Sequence, residues 1–176
     1  QSVFKDGCAE VIKYGVLFDA ELFCSLEEHT LDFNKKAIIT RCVELKRDVV
    51  AKDEFDTGLR QKLNLGHTIG HSIEKQSNFS VSHGQAVAAG MAIISRSAAA
   101  MGICASETAV RICSLISAFG LPVNTEYNAE QLLHTMLSDK KRSGQWISLI
   151  IPQTIGSCII QKTPISDLQT ILEAGL

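Results

Sequence analysis

The sequence predicts a mainly α-helical domain with a small β-hairpin near its C-terminus. Three observations carry that prediction. All three prolines, Pro122, Pro152 and Pro164, lie beyond residue 120, so the first two thirds are free of the strongest helix breaker. That region repeats apolar residues at helical spacing. Two short β-branched runs, 146–151 and 157–161, occur only near the end, separated by Pro152-Gln153-Thr154-Ile155-Gly156.

Taken in order, Val11, Ile12, Val16, Leu17, Leu22 and Phe23 mark a helical stretch from Cys8 to Glu28, with Asp19 as a break and a new N-cap. A second helix is predicted from Asp32 to Ala51, with Ala37, Ile38, Cys42, Leu45 and Val49 on one face. A third begins near Leu59 and reaches Lys75, and a fourth, rich in Ala and Gly, spans Ser82 to Met101. Ser106 and Glu107 open a fifth, which the Gly120-Leu121-Pro122 stop closes. Asn128 with Gln131 forms a capping box for a sixth helix, Ala129 to Leu137. After the hairpin, Ser166 to Ala174 reads as a closing helix.

A chain of 176 residues, 45% apolar, is enough for one globular domain with its own core. With 17 basic and 19 acidic side chains the net charge is -2, which gives no general reason to bind nucleic acid or an anionic membrane. The most apolar helical stretch, Ala86 to Met101, is interrupted by Arg96 and falls short of a membrane span. Gln1 opens the chain and no secretory n-region or h-region follows, so an excised domain is expected rather than a secretory precursor. Six cysteines, at 8, 24, 42, 104, 113 and 158, form no C-x-x-C pair and sit in apolar segments. They are expected to be reduced, buried structural thiols, which points to the cytoplasm or a compartment of similar redox poise. No alternating strand-helix series and no G-x-G-x-x-G is present, so a dinucleotide-binding sheet is not expected.

His67, His71 and His83 fall within 17 residues. His67 and His71 are spaced i, i+4, which puts both rings on one helical face. Thr68-Ile69-Gly70 separates them, without the glutamate of a zinc-protease helix, so protease chemistry is not expected. His83 precedes Gly84 at a helix start, where a loop between antiparallel helices could fold it back toward His67. A catalytic divalent metal commonly takes three protein ligands and keeps an open position. Glu10, in an otherwise apolar helix, is the best carboxylate candidate. The alternative is a solvated Glu10–Lys13 pair beside hydrogen-bonded helix histidines. Lys13, Arg60, Asn64 and Lys140-Lys141-Arg142 accompany the cluster and suit a substrate carrying carboxylate and phosphate.

Several blocks then align with a known pattern. They are Ala9-Glu10-Val11-Ile12-Lys13-Tyr14-Gly15, Gly58-Leu59-Arg60-Gln61-Lys62-Leu63-Asn64-Leu65-Gly66-His67-Thr68-Ile69-Gly70-His71, His83-Gly84-Gln85-Ala86-Val87-Ala88-Ala89-Gly90-Met91, Asp139-Lys140-Lys141, and Leu149-Ile150-Ile151-Pro152. In this order they closely resemble the 3-dehydroquinate synthase family, and the likeness runs from Lys5 to Ile160.

The resemblance implies that residues 1–176 are the C-terminal helical metal- and substrate-binding domain of a two-domain enzyme whose N-terminal domain binds NAD. It implies conversion of 3-deoxy-D-arabino-heptulosonate 7-phosphate to 3-dehydroquinate and phosphate, in the shikimate pathway, by oxidation, β-elimination, reduction and aldol cyclisation. It implies zinc or cobalt held by Glu10, His67 and His83, and it assigns His71 to substrate and proton transfer instead of the metal. Lys13, Lys46, Arg60, Asn64, His71, Lys140 and Lys141 fall at substrate-binding positions, with Lys13, Asn64 and His71 also catalytic. A homodimer is implied for the whole enzyme, and inactivity for the isolated domain. The nearest rival is another sugar phosphate cyclase such as 2-deoxy-scyllo-inosose synthase, and a metal-binding or dimerisation fragment is a third reading. Asp56 and Gln85 depart from the family's usual glutamates, with Gln85 expected to act behind the ligands.

Overall fold

A computed structural model of the chain describes residues 2–30, 32–138 and 145–176. The predicted class holds: helices dominate, and one antiparallel hairpin lies near the C-terminus. The helices are α1 (Ser2–Phe18), α2 (Ala20–His29), α3 (Lys35–Lys52), α4 (His67–Gln76), α5 (His83–Ala100), α6 (Ser106–Ala118), α7 (Ala129–Ser138) and α8 (Leu168–Gly175). The strands β1 (Trp146–Thr154) and β2 (Ser157–Pro164) precede α8.

Local chemistry explains most boundaries. Asp19 caps α2 by accepting from Leu22 N–H at 2.9 Å, and Asn128 and Gln131 exchange the two hydrogen bonds of a capping box at the start of α7. α3 begins later than Asp32 because Asn34 is the residue whose side chain accepts from a helical N–H, that of Ala37. The predicted third helix is two pieces: a 3-10 segment, Leu59–Asn64, and then α4. Gly66 separates them at φ +76, a left-handed conformation that a side chain resists. The hairpin outgrows its predicted runs, pairing Ile150 with Ile160 and Ile151 with Ile159, with a bulge between Pro152 and Thr154.

α5 runs through the centre. Val87, Met91, Ile93 and Ile94 are buried on it, and α1, α4, α6 and α8 all pack around it. Its small residues set how close those neighbours come. A Cβ at Gly90 would land on the Gly66 carbonyl oxygen, and one at Gly70 would stand 3.1 Å from the Ala86 carbonyl, so α4 and α5 touch backbone to backbone. The hairpin turn is fixed to α1 by Gly156 N–H donating to Val16 O at 3.1 Å. The cysteines are all free, but the expectation of burial holds only for Cys8, Cys104 and Cys158; Cys42 and Cys113 are half-buried and Cys24 is exposed. Cys24 follows the buried Phe23 on α2 and faces outward, a position where an apolar neighbour in sequence says nothing about the face. Among the described residues no helix is long and apolar enough to cross a membrane.

Candidate metal centre

The close α4–α5 crossing brings three histidines together. His67 opens α4, His83 opens α5, and His71 follows His67 by one turn. Their ring centroids lie 5.1 Å (His67–His83), 5.6 Å (His67–His71) and 6.1 Å (His71–His83) apart. α1 delivers the carboxylate. Ser82, just before α5, donates its hydroxyl to Asp6 at 2.6 Å, and Glu10 stands one turn further along the same face of α1. Gly84 allows this approach, since a Cβ there would collide with the Asp6 backbone.

Glu10, His67 and His83 each offer a ligand atom, and these atoms lie within 4.8 Å of one another. His67 Nε2 is 3.7 Å from Glu10 Oε1, while His67 Nδ1 is 3.0 Å from the Leu65 carbonyl oxygen. The carbonyl can only accept, so it selects the tautomer with a proton on Nδ1 and leaves the Nε2 lone pair facing Glu10. Burial, reinforced by the nearby Lys13 ammonium, pushes the His67 pKa down to about 4 and keeps the ring neutral, as a metal ligand must be. Glu10 Oε1 is buried and has no hydrogen-bond partner. A buried carboxylate oxygen without a donor, beside the neutral His67 ring and the His83 ring, is a donor set that a divalent cation completes.

Lys13 corrects the picture of a solvated pair. Its Nζ is 2.7 Å from Glu10 Oε2, but the residue is only 3% exposed. Burial drives its pKa down against the pull of Glu10, and Lys46, close enough to be felt, pushes the same way. The carboxylate therefore divides its work, with Oε2 on the lysine and Oε1 on the histidine side.

A cleft of about 420 Å³ opens beside the triad, lined by Gln61, Asn64, His67, His71, Trp146 and Ser148 among others. Of the residues read from sequence, Asn64, His67 and His71 reach it. Asp56 also lines it, at φ +56. Lys46 and Arg60 are not in its lining: Lys46 is exposed on α3, and the Arg60 guanidinium donates to the Glu54 carbonyl at 2.9 Å. Lys140 and Lys141 lie outside the described residues. Gln85 accepts from Ser82 N–H at 3.3 Å, so it caps α5 behind His83.

Three features escape a reading of motifs. Glu74 faces His83, with Oε1 3.2 Å from Nδ1; the signal was its i+3 spacing from His71. Trp146 and Ser148, the exposed positions at the start of β1, wall the cleft together with Ile147 and Ile150. Asp53 ties the loop before the 3-10 segment: its carboxylate accepts from the backbone N–H groups of Thr57, Gly58 and Arg60 at 3.0, 2.8 and 2.9 Å. Those hydrogen bonds, the Arg60 one foremost, hold its carboxyl below the ordinary range.

Comparison with known proteins follows the same lines. The family model described as 3-dehydroquinate synthase C-terminal matches residues 7–142. A 3-dehydroquinate synthase from Dehalococcoides mccartyi is 37% identical over 97% of this chain, which covers 50% of that protein. The chain thus spans about half the length of the curated relative it matches. Among solved structures, a 2-epi-5-epi-valiolone synthase from Streptomyces hygroscopicus with NAD+ and Zn2+ bound aligns with a TM-score of 0.81 at 23% identity, over 96% of this chain and 49% of that one. A 2-deoxy-scyllo-inosose synthase complexed with carbaglucose-6-phosphate, NAD+ and Co2+ aligns at 0.79 and 18%, over 98% and 51%. At those identities the structures establish a shared fold.

Proposed function

Because this chain belongs to the 3-dehydroquinate synthase family through its C-terminal domain, we propose that it forms the metal- and substrate-binding half of an enzyme that converts 3-deoxy-D-arabino-heptulosonate 7-phosphate to 3-dehydroquinate and phosphate. The observation that carries the reading is the partnerless buried Glu10 Oε1, gathered with His67 and His83 within 4.8 Å. Those three residues would hold a divalent metal, zinc or cobalt, which would supply Lewis-acid polarisation of the substrate's oxygens, and NAD, which an N-terminal domain would hold, would supply the hydride chemistry.

The chain's own residues bind, orient and move protons. Asn64 and Gln61, on the 3-10 segment, present amides to the cleft and suit the substrate's hydroxyls. His71 is exposed in the cleft beside the triad, where an imidazole can take a proton from the substrate and pass it on. Lys13 keeps Glu10 in place through its 2.7 Å contact and adds a buried positive charge beside the ligands. Lys46, with Lys140, Lys141 and Arg60, suits the substrate's carboxylate and phosphate. Trp146 gives the cleft one aromatic wall. A homodimer and a cytoplasmic setting complete the proposal.

The test is phosphate release by the full-length protein given NAD+, zinc and the heptulosonate phosphate, compared with Glu10→Gln. Release that Glu10→Gln abolishes supports the reading. Release from a hexose 6-phosphate and none from the heptulosonate would transfer the chain to the sugar phosphate cyclases that share its fold.

A further inference from the structure

His67 and His83 face the same centre from different surroundings. The His67 side chain is 15% exposed and its Nδ1 is anchored by the Leu65 carbonyl. The His83 side chain is 49% exposed, and without an anchor its ring would turn about its side-chain bonds and sample both tautomers. Glu74 is the group that meets it, 13% exposed, with Oε1 3.2 Å from His83 Nδ1.

The turn between α4 and α5 is built to make that meeting. Asn78 and Phe79 both adopt left-handed conformations, at φ +50 and +60, which non-glycine residues resist. Phe79 N–H and the Ser77 hydroxyl both donate to the Glu74 carbonyl, at 2.7 and 2.9 Å, and Val81 N–H donates to the Ser77 hydroxyl oxygen at 3.3 Å. The Glu74 main chain therefore anchors the reversal whose far end is His83, and its side chain grips the histidine that the reversal delivers.

We propose that Glu74 is a positioning residue for the metal centre: its carboxylate accepts the Nδ1 proton of His83 and commits Nε2 to the ion. This rests on the metal-centre reading above. His71, Glu74 and His83 also form a set of donor atoms within 4.8 Å, in which the Glu74–His83 contact is the 3.2 Å one. Both histidine ligands would then follow one rule, Nδ1–H to a protein acceptor and Nε2 to the metal, with a charged acceptor serving the more exposed ring.

The experiment compares Glu74→Ala and Glu74→Gln in the full-length protein. Two readouts are needed: the His83 tautomer in metal-free protein, by long-range proton–nitrogen NMR, and zinc affinity, by competition with a chromophoric chelator. Glu74→Ala is expected to mix the His83 tautomers and weaken zinc by about 10–100-fold. Glu74→Gln, which keeps an acceptor oxygen, should retain the tautomer and recover part of the affinity. Unchanged tautomer and affinity in Glu74→Ala would overturn the proposal, and so would a zinc loss as complete as that of Glu10→Ala, which would make Glu74 a ligand. His67→Ala separates the two readings. If it binds zinc normally the metal centre itself is wrong, while the tautomer in metal-free Glu74→Ala still judges Glu74.

Discussion

Replacing Gly90 by alanine sets two physical effects against each other. Helix propensity favours the change by about 1 kcal/mol, because alanine restricts the unfolded chain and glycine does not. The packing opposes it. A Cβ at position 90 would fall on the Gly66 carbonyl oxygen, with the Gly66 carbon and Gly70 nitrogen each at 3.0 Å. Non-bonded contacts relax near 3.5 Å, so α4 and α5 must part by about 1 Å, and the obstacle is backbone that no rotamer can move. Overpacking costs about 1–3 kcal/mol, and an unyielding partner places this case at about 3. The net is a destabilisation of about 2 kcal/mol, or a fall of roughly 4–8 °C in Tm for a chain of this size. Gly7→Ala is the control, since nothing lies within 4 Å of a Cβ there, and it should stabilise by about 0.5 kcal/mol. Thermal unfolding by circular dichroism reads both. Since Gly66 precedes His67, Gly90→Ala should also weaken zinc binding measured by chelator competition. A Gly90→Ala protein that melts at or above the parent would refute the claim that backbone contact between α4 and α5 sets the site.

Further outcomes are expected. Glu10→Gln and His83→Ala should each lose bound metal by elemental analysis while His71→Ala keeps it and loses turnover; equal loss in all three would restore the i, i+4 histidine pair as ligands. Burial opposes the charge on Asp19, but hydrogen bonds from Leu22 N–H and Arg41 outweigh it and lower its pKa, so its contribution is full above about pH 4 and fades as pH falls through the depressed folded value. Asp19→Ala should accordingly cost about 1 kcal/mol in urea unfolding at pH 7, with the gap narrowing below pH 4, and a gap constant with pH would exclude the ionised cap. Cys24, the exposed thiol, should react first with Ellman's reagent in native protein, ahead of the buried Cys8, Cys104 and Cys158; labelling of a buried thiol at the same rate would contradict the burial described.

Helix starts were legible where a cap is a local event: Asp19, Ser82 and Asn128 each announce themselves within three residues. The break at Gly66 was not, because the apolar spacing of Leu59, Leu63, Ile69 and Ile73 continues across it, and a left-handed glycine looks like any other glycine in a helix. The histidine cluster and Glu10 stood out because polar groups in apolar helices need partners. Whether the Glu10–Lys13 pair was solvated depended on what packs over α1, which spacing does not report. Arg60 sat near the histidines in sequence, yet its guanidinium serves Glu54, a turn contact set by the Asp53 loop. Glu74 was hidden for the opposite reason: its partner arrives from the next helix.

The loop after α3 reads by composition as loose, Asp53-Glu54-Phe55-Asp56-Thr57-Gly58, but the Asp53 carboxylate gathers its backbone, with Arg60 and Gln61 donating to the carbonyls of Glu54 and Asp56. With three amides converging on its carboxylate, Asp53 ties the approach to Asn64 to the end of α3. The cleft wall that follows is thereby fastened at its start, so a ligand of the cleft would lose little ordering entropy there. The loop is pinned from within, and the amides of Thr57, Gly58 and Arg60 should exchange with solvent far more slowly than their neighbours.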